Sequence, residues 1–458
     1  MDGVQTRGRG RRGLRILAGV LGGGLALVVA AWLVVVAANW TDEAPDPELL
    51  RLSATVDGRL PDGPDAIYAL AALSAPEGED AQVRGRRWWE RTLSDDARIL
   101  AGGAPMAVAD PAAPGAASPP LALCGPGADC LAQVAADPAA ARAALEAGAG
   151  LLQRYDALTR LPYREPLRVL APESAFAPAP PAHLLQLSSV RFAFAVQEGR
   201  HADALHHWLA ERELLLKVAA GARQTFSLAW AIRRLQRQDL LLAAWISRHP
   251  EASRAHAARL LAASRPLSSA ALPMKAALES EALDTQWLMR RAWVAYAGDL
   301  HETLARVLVR PLMLPQASAN VLAGRIWAWR ALDQLPGEAY RQAVMQARAQ
   351  DDALVARSPL RLRNPLGTVL VQVALLPRHA FFASRDAVVA ADAQRRIALG
   401  LLVAGPVDAA AVASALQGAG TAAEHRFTGQ RLAWDPARRV LAWPGPADPR
   451  DALPEIRL

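Results

Sequence analysis

The chain of 458 residues contains only two cysteines and two lysines. The cysteines, Cys124 and Cys130, lie in LCGPGADCL with five residues between them. This spacing excludes the C-x-x-C motif of thiol oxidoreductases, and two thiols alone cannot complete a zinc site. Because Lys217 and Lys275 are the only lysines, the pI near 10 partly reflects arginines, which stay charged in proteins.

Net positive charge is also scarce beyond the N-terminus. The formal net charge is +7, and residues 1–15 contribute +4 of it through five arginines and one aspartate. No basic face or stripe stands out in the rest of the chain, which excludes a nucleic-acid-binding protein. Apolar residues make up 52% and charged residues 21%, which excludes both a disordered chain and a multi-span membrane protein.

Recognisable catalytic motifs are missing. The sequence contains no P-loop, no G-x-S-x-G and no H-E-x-x-H. His301 and Glu302 begin a metalloprotease-like pair, but Ala305 occupies the position of the second histidine. Residues 418–423 match a dinucleotide-binding pattern by letter only, since they follow a predicted helix instead of a strand. We therefore predict no cofactor and no metal.

The segment 16–38 is an unbroken run of 23 uncharged residues. As a helix it measures about 35 Å, enough to cross a hydrocarbon core of about 30 Å. Arginines precede it and acidic residues follow it, so the positive-inside rule predicts a cytoplasmic N-terminus and an extracytoplasmic chain from about Trp40 onward. The alternative is a signal peptide cleaved after Ala38, but this run is longer than the usual core of about 7–15 residues.

Gly19 and Gly23 have the G-x-x-x-G spacing that allows two membrane helices to approach closely. One interpretation is a homodimer formed through the transmembrane helix. The other is that these glycines are ordinary members of a Gly-rich span.

Outside the cytoplasm, the pair Cys124 and Cys130 is expected to form a structural disulfide. Because the closed loop is short, the chain-closure model gives it a stabilisation of about 2 kcal/mol.

The sequence predicts five segments along the chain. They are a cytoplasmic Arg-rich tail (1–15), a transmembrane helix (16–39), a linker with short helices and a Cys-bridged loop (40–136), a helical periplasmic domain (137–420), and a C-terminal β-hairpin with a tail (421–458).

Apolar periodicity predicts a mainly α fold. The predicted helices span 63–75, 84–100, 139–161, 183–197, 202–220, 223–247, 251–263, 273–297, 300–309, 319–332, 337–349 and 383–403. The turn at 198–200 resembles that of tetratricopeptide-like hairpins, which suggests an irregular, solenoid-like array. Alternating runs at 431–434 and 440–443 predict a β-hairpin that must pack on the helical body or on another chain. Two stretches rich in Pro and Ala, 102–120 and 172–181, are predicted to contain no regular element.

One polar cluster has metal-ligating residue types at helical spacing. Asp203 lies three and four residues before His206 and His207, with His201 nearby, and such groups bind zinc when a further ligand is supplied. The alternative, which we favour, is the solvated face of an amphipathic helix.

Two further clusters have a functional and an ordinary interpretation. Glu279, Glu281 and Asp284 suggest carboxylates in a groove, but their spacing favours a charged helix surface. The second cluster suggests a stacked Arg–aromatic surface, a coincidence that is common in an Arg-rich chain. Its members are Arg325, Trp327, Trp329, Arg330, Tyr340 and Arg341.

Five features recur together in a group of proteins that this sequence resembles. They are residues 65–70 (DAIYAL), the cysteine pair, 314–320 (LPQASAN), 363–367 (RNPLG) and 427–434 (FTGQRLAW). The group consists of mostly helical proteobacterial proteins that a single span anchors in the inner membrane. The resemblance implies that topology and a periplasmic ectodomain, and it implies no activity. Residues 364–367 are predicted to form a turn before a helix, not a site.

We therefore expect a single-pass inner-membrane protein with a helical periplasmic domain that binds or scaffolds an envelope protein. Two alternatives stay open. One is a hydrolase acting on envelope material without a recognisable motif, and the other is a module that binds an apolar ligand.

Overall fold

The computed structural model describes most of the chain. The described residues are 7–56, 58–73, 75–76, 78–101, 121–125, 127–170, 182–296, 310–358, 362–444 and 453–458. The predictions for 102–120, 172–181 and 300–309, and the pair His301 and Glu302, lie outside them.

The fold is mainly helical, as predicted, with one small antiparallel sheet. The helices are α1 (Arg7–Ala38), α2 (Pro47–Ser53), α3 (Ala66–Ala71), α4 (Ala81–Leu100), α5 (Cys130–Ala136), α6 (Pro138–Ala147), α7 (Ala149–Leu158), α8 (Ala182–Gln197), α9 (His201–Gly221), α10 (Thr225–Arg248), α11 (Pro250–Ala263), α12 (Lys275–Tyr296), α13 (Pro315–Ala331), α14 (Gly337–Val355), α15 (Pro365–Ala374), α16 (Arg378–Ala404) and α17 (Ala409–Ala419). Short 3₁₀ turns lie at Ser269–Ala271, Arg310–Leu312, Leu332–Gln334 and Gly420–Ala423.

The chain divides into two units. Unit 1 comprises Met1–Arg51, Thr285–Arg325 and Gln350–Leu376. Unit 2 comprises Leu52–Asp284, Ile326–Ala349 and Pro377–Leu458.

In unit 1, the predicted apolar helix is present as the greater part of α1. Its segment Ala18–Ala38 has a mean hydropathy of 2.5 and no buried residue, so it is long and apolar enough to cross a membrane. A Cβ atom added at Gly19 or Gly23 would meet nothing within 4 Å. Since no described part of the chain packs on these glycines, the homodimer through this helix stays a prediction.

A small apolar cluster lies elsewhere in unit 1. It joins α12, α13 and α15 through Met289, Met313, Ala319, Leu322, Leu370 and Val371.

The segment Pro365–Ala404 also passes a length-and-composition test for a membrane span, with a mean hydropathy of 1.4. It is not one helix, because α15 ends at Ala374 and α16 begins at Arg378. In addition, α16 carries Arg385 and Asp392, which are buried in the core of unit 2. Buried charges with protein partners are typical of a core helix, so we assign α16 to the interior of unit 2.

The core of unit 2 is built mainly from α8, α9, α10, α11 and α16. It includes the predicted disulfide between Cys124 and Cys130, whose Cα atoms are 4.5 Å apart. The disulfide is buried, and Arg237 holds its loop by donating to the carbonyl oxygens of Cys124 and Gly125 at 2.6 and 2.5 Å.

The predicted C-terminal hairpin consists of β1 (Ala433–Asp435) and β2 (Val440–Ala442), with Trp434 opposite Leu441. A third strand, β3 (Ile456–Arg457), pairs antiparallel with β2 and was not predicted, because two residues show no alternation. The side-chain amide of Gln394 on α16 donates to a carbonyl in β2 at 2.7 Å. The hairpin therefore packs on the helical body of unit 2.

The single helix predicted over 139–161 was wrong. The structure has α6 and α7 with Gly148 between them. A Cβ atom at Gly148 would lie 2.5 Å from a methyl group of Leu187, so glycine allows α8 to approach closely at the break. Helices α2 and α5 were not predicted, and α17 was predicted only as the helix that precedes residues 418–423.

Candidate functional site

The residues that follow the apolar helix are bonded into unit 1 by side-chain amides. The Nδ2 group of Asn39 donates to the carbonyl oxygens of Val35 at 2.8 Å and Leu362 at 2.7 Å. Its Oδ1 atom accepts from the amide of Asn364 at 2.6 Å. Asn39 is 7% exposed, so a buried side-chain amide joins the end of α1 to residues 362–364. Both of its N–H donors and its carbonyl oxygen form hydrogen bonds within the protein.

Asp42 caps a helix that is distant in sequence. Its Oδ2 atom accepts from the amide of Gln316 at 2.8 Å, and its Oδ1 atom accepts from the amide of Ala317 at 2.9 Å. Both donors belong to the first turn of α13, where backbone amides lack partners within the helix. A carboxylate at that position also interacts favourably with the positive end of the helix dipole.

Asn364 completes the cap of α13. Its Oδ1 atom accepts from the amide of Leu314 at 2.7 Å, and its Nδ2 group donates to Ser318 Oγ at 2.9 Å. Pro315 has no amide hydrogen, so every donor at the start of α13 is accounted for by Asp42, Asn364 or the helix itself.

The backbone at Asn364 is left-handed, with φ of 56°, a conformation that asparagine tolerates better than most residues. A Cβ atom at Gly367 would lie 2.0 Å from Asn364 Oδ1 and 2.2 Å from Ser318 Oγ. Glycine is therefore required at 367 for this cap to form. The prediction that 364–367 forms only a turn was incomplete, because the same residues build the junction.

Asp46 and Asn320 add a second set of bonds. Asp46 Oδ1 accepts from the amides of Glu48 and Leu49 at 2.9 and 3.0 Å and thereby caps α2. Asn320 Oδ1 accepts from the amide of Asp46 at 3.0 Å, and its Nδ2 group donates to the carbonyl of Ala44 at 2.9 Å. The segment 39–46, which the sequence assigns mostly to a linker, is thus hydrogen-bonded at several points along its length to other residues of unit 1.

An open cleft of about 220 Å³ lies beside this junction. It is lined by four apolar residues, Ala317, Val321, Leu354 and Val371, and by five polar ones, Glu43, Arg357, Arg363, Asn364 and Thr368. Small-molecule sites usually measure about 300–1,000 Å³. The cleft therefore has the size of a pocket for one or two side chains, with charges of both signs at its border.

The pKa of Asp284 in unit 2 is raised to about 7, mainly by burial; the amide of Leu170 and the charge of Arg168 oppose the rise. The Leu170 amide donates to Asp284 Oδ1 at 2.5 Å. Because the ordinary value is 3.8, the folded protein retains this proton over a pH range in which the unfolded chain releases it. The contribution of Asp284 to the free energy of unfolding therefore decreases as the pH rises from about 4 to about 7.

Glu165 is a second buried carboxyl group with a raised pKa, and burial is again the main cause. Its oxygens accept from the amides of Arg223 and Gln224 at 2.7 and 3.1 Å and from Ser227 Oγ at 2.8 Å. These bonds use its acceptor capacity within the protein, so Glu165 has a structural role.

The predicted charged surface around Glu279 was wrong. The side chains of Glu279 and Glu281 are only 12% and 11% exposed. Glu279 pairs with Arg330 at 3.0 Å, and Glu281 pairs with Arg378. These partners come from other helices, which the spacing on α12 alone did not indicate.

The histidine cluster of α9 is divided among separate contacts. Asp203 pairs with Arg200 at 3.1 Å, and His201 Nδ1 accepts from the indole of Trp245 at 3.2 Å. The rings of His206 and His207 are 5.8 Å apart. No group of three or more His, Cys, Asp or Glu side chains in the described residues is arranged to hold a metal ion.

The Arg–aromatic cluster does not form one surface. Trp329 and Tyr340 are fully buried. The guanidinium of Arg330 stacks on Trp327 at 4.4 Å, whereas Tyr340 is covered by Arg426 at 4.0 Å.

The chain matches no protein-family model, no curated protein and no solved structure. The assignment of a candidate site therefore rests on the geometry of the structure alone. Sequence reasoning missed Asn39, Asp42 and Asn320, although 314–320 and 363–367 were both singled out. The available signal was that each of these two segments contains one Asn and that 39–46 contains one Asn and two Asp, the residues that cap helices and stabilise turns.

Proposed function

We propose that this chain is a single-pass inner-membrane protein whose helical ectodomain, an irregular array of α-hairpins, faces the periplasm. There it binds or scaffolds an envelope protein. The observation that carries the proposal is the junction, in which Asn39 and Asp42 bond the exit of α1 to unit 1. A cleft beside a firmly held membrane helix presents its border at a fixed distance from the bilayer.

The chemistry of the cleft supports a protein partner. Its volume of about 220 Å³ suits an anchoring side chain better than a whole small ligand. Val321, Leu354 and Val371 provide an apolar wall, while Arg357, Arg363 and Glu43 offer charges for orientation. An apolar side chain flanked by an acidic residue in an extended segment fits this arrangement.

Site-specific photocrosslinking in cells tests the proposal. A photoreactive phenylalanine analogue replaces Val321, which is 39% exposed at the cleft, and in a matched control it replaces Phe226 of unit 2, which is 49% exposed. We expect one discrete protein adduct from position 321 and none from 226. Absence of an adduct at 321, or the same adducts at both positions, would reject the cleft as a binding site.

An anchor swap separates the ectodomain from the membrane helix. Replacing 1–38 by an unrelated anchor should leave the adduct at position 321 intact. Loss of the adduct in the swapped protein would transfer the contact to α1 and favour the homodimer through Gly19 and Gly23.

A further inference from the structure

Exposed apolar side chains are concentrated in unit 1. Of the fourteen large apolar side chains that are exposed outside α1 in the described residues, eight belong to unit 1, although it is the smaller unit. They are Trp40, Leu50, Val321, Val355, Leu362, Val369, Val373 and Leu376. Scattered apolar residues are normal on a protein surface, but a concentration of them marks an interaction site.

Three of these residues lie on α15 or directly after it, and we call them the α15 stripe. Val369 and Val373 lie four positions apart on one face of the helix, and Leu376 follows two residues after its last residue. They are 38%, 78% and 49% exposed. The opposite face, with Leu370 and Val371, is buried in unit 1. An apolar helix side that its own protein leaves uncovered is typical of a helix that contacts a partner or a lipid surface, and Val369 and Val373 form such a side of α15.

The junction fixes the level at which α15 begins relative to the apolar run of α1. Asn39, the residue after that run, bonds the carbonyl of Leu362 and the amide of Asn364. The guanidinium of Arg363 also donates to the carbonyl of Ala38 at 3.4 Å. Helix α15 therefore begins at the level at which α1 leaves the hydrocarbon region.

We propose that the stripe Val369–Val373–Leu376 of α15 contacts the outer interface of the same bilayer that α1 crosses. The inference rests on the proposed membrane anchorage and adds a second lipid contact to it. Arg363, exposed at the start of α15, lies where a guanidinium can bind lipid phosphate while its stem stays on apolar surface. Unit 1 is thus held on the membrane by one spanning helix and one interfacial helix.

Spin-label accessibility in the full-length protein tests the inference. The two native cysteines form the disulfide and no other cysteine exists, so a single new cysteine takes the label without reductant. The labelled variants are Val373→Cys, Leu33→Cys in α1, and Met345→Cys as a control of similar exposure. Met345 is 63% exposed on α14, where Gln342 and Arg348, three positions to either side, are exposed as well. We expect this polar surface to face water.

The protein is reconstituted in vesicles of phosphatidylethanolamine and phosphatidylglycerol. Collision rates with lipid-soluble oxygen and with a water-soluble nickel complex are then measured. We expect the ratio of oxygen to nickel collisions at position 373 to exceed that at 345 several-fold and to approach the ratio at 33.

The three labelled positions distinguish failure of the interfacial contact from failure of the membrane anchorage. A ratio at 373 equal to that at 345, with a lipid-type ratio at 33, would overturn the interfacial contact and leave the anchorage intact. A label at 373 that neither reagent reaches would also overturn it, in favour of a second copy or a protein partner on this face. A water-type ratio at 33 would refute the anchorage itself.

Discussion

Replacing Asp42 by Ala should loosen the start of α13 while leaving the rest of the fold intact. The carboxylate of Asp42 is the acceptor for two amides of the first turn, at 2.8 and 2.9 Å. The donors belong to Gln316 and Ala317, which are 7% and 5% exposed. Without Asp42, these amides lose both their hydrogen bonds and a favourable negative charge at the helix N-terminus.

The expected magnitude follows from the burial of the donors. Removal of a helix cap typically costs about 1 kcal/mol and at most about 2 kcal/mol, and a buried donor left without a partner costs about 1–3 kcal/mol. Asp42 itself is exposed, so water can replace part of the lost bonding. We therefore expect the local opening free energy to fall by about 2 kcal/mol, which corresponds to exchange about 30-fold faster.

Hydrogen–deuterium exchange of the full-length protein in lipid nanodiscs measures this change. The peptide of interest covers 314–322, and peptides from α9 and α10 report on the remainder of the fold. Glu43→Ala is the matched control, because it removes the same charge one residue away. The carboxylate of Glu43 accepts from the side chain of Asn320 at 3.1 Å, so its loss leaves the amides of α13 bonded.

The comparison of the two variants decides the outcome. Fast exchange at 314–322 in Asp42→Ala alone supports the cap. No acceleration in Asp42→Ala would refute it. Equal acceleration in both variants would also refute it and would mean that the negative charge of the segment, not hydrogen bonding, controls this helix.

Three further predictions concern unit 2. Asp284→Asn keeps an oxygen acceptor but cannot ionise, so its unfolding free energy relative to the parent should rise by about 2–3 kcal/mol between pH 5 and pH 8, given the pKa of about 7. Denaturant titrations at both pH values measure this, and an equal difference at both would contradict it. Glu211→Gln leaves the buried guanidinium of Arg234, now bonded at 2.8 and 3.0 Å, without a counter-charge, and should cost about 3–5 kcal/mol. Thermal unfolding followed by tryptophan fluorescence checks this, and an unchanged midpoint would count against a buried ion pair. Reduction of the Cys124–Cys130 disulfide should cost only about 2 kcal/mol because its loop is short; complete unfolding by reductant at ambient temperature would show that the bond does more than close a loop.

Helix positions were predictable wherever one apolar face repeats along many residues. Helices α9 and α10 begin and end within two residues of their predicted bounds, because a Gly or a Pro lies near each end of both helices. The break in the helix predicted over 139–161 has a tertiary cause. Gly148 interrupts an Ala- and Leu-rich run only because Leu187 occupies the space of its missing side chain, and a contact with another helix leaves no trace in periodicity.

The candidate site was predictable only in part for a related reason. Asp42 and Asn364 cap the same helix from positions that are 322 residues apart in sequence. Each residue is ordinary in its own segment, where Asp and Asn merely indicate turns. The cap becomes visible only when the unpaired amides of α13 are assigned to acceptors one by one, and that assignment needs the folded chain.

The ion pairs of unit 2 help to explain why the chain uses arginine almost to the exclusion of lysine. Arg212 bonds Asp239 and Asp392 through separate nitrogens, each at 2.9 Å, and Arg234 bonds both oxygens of Glu211. A lysine ammonium is a single point charge and cannot bridge two carboxylates in this planar geometry. Replacing such an arginine by lysine would be costly in the core, because a buried charge that loses its partner is strongly destabilising. Many arginines of unit 2 therefore serve the helical core, where carboxylates offset their charge, and a pI near 10 need not imply an acidic partner.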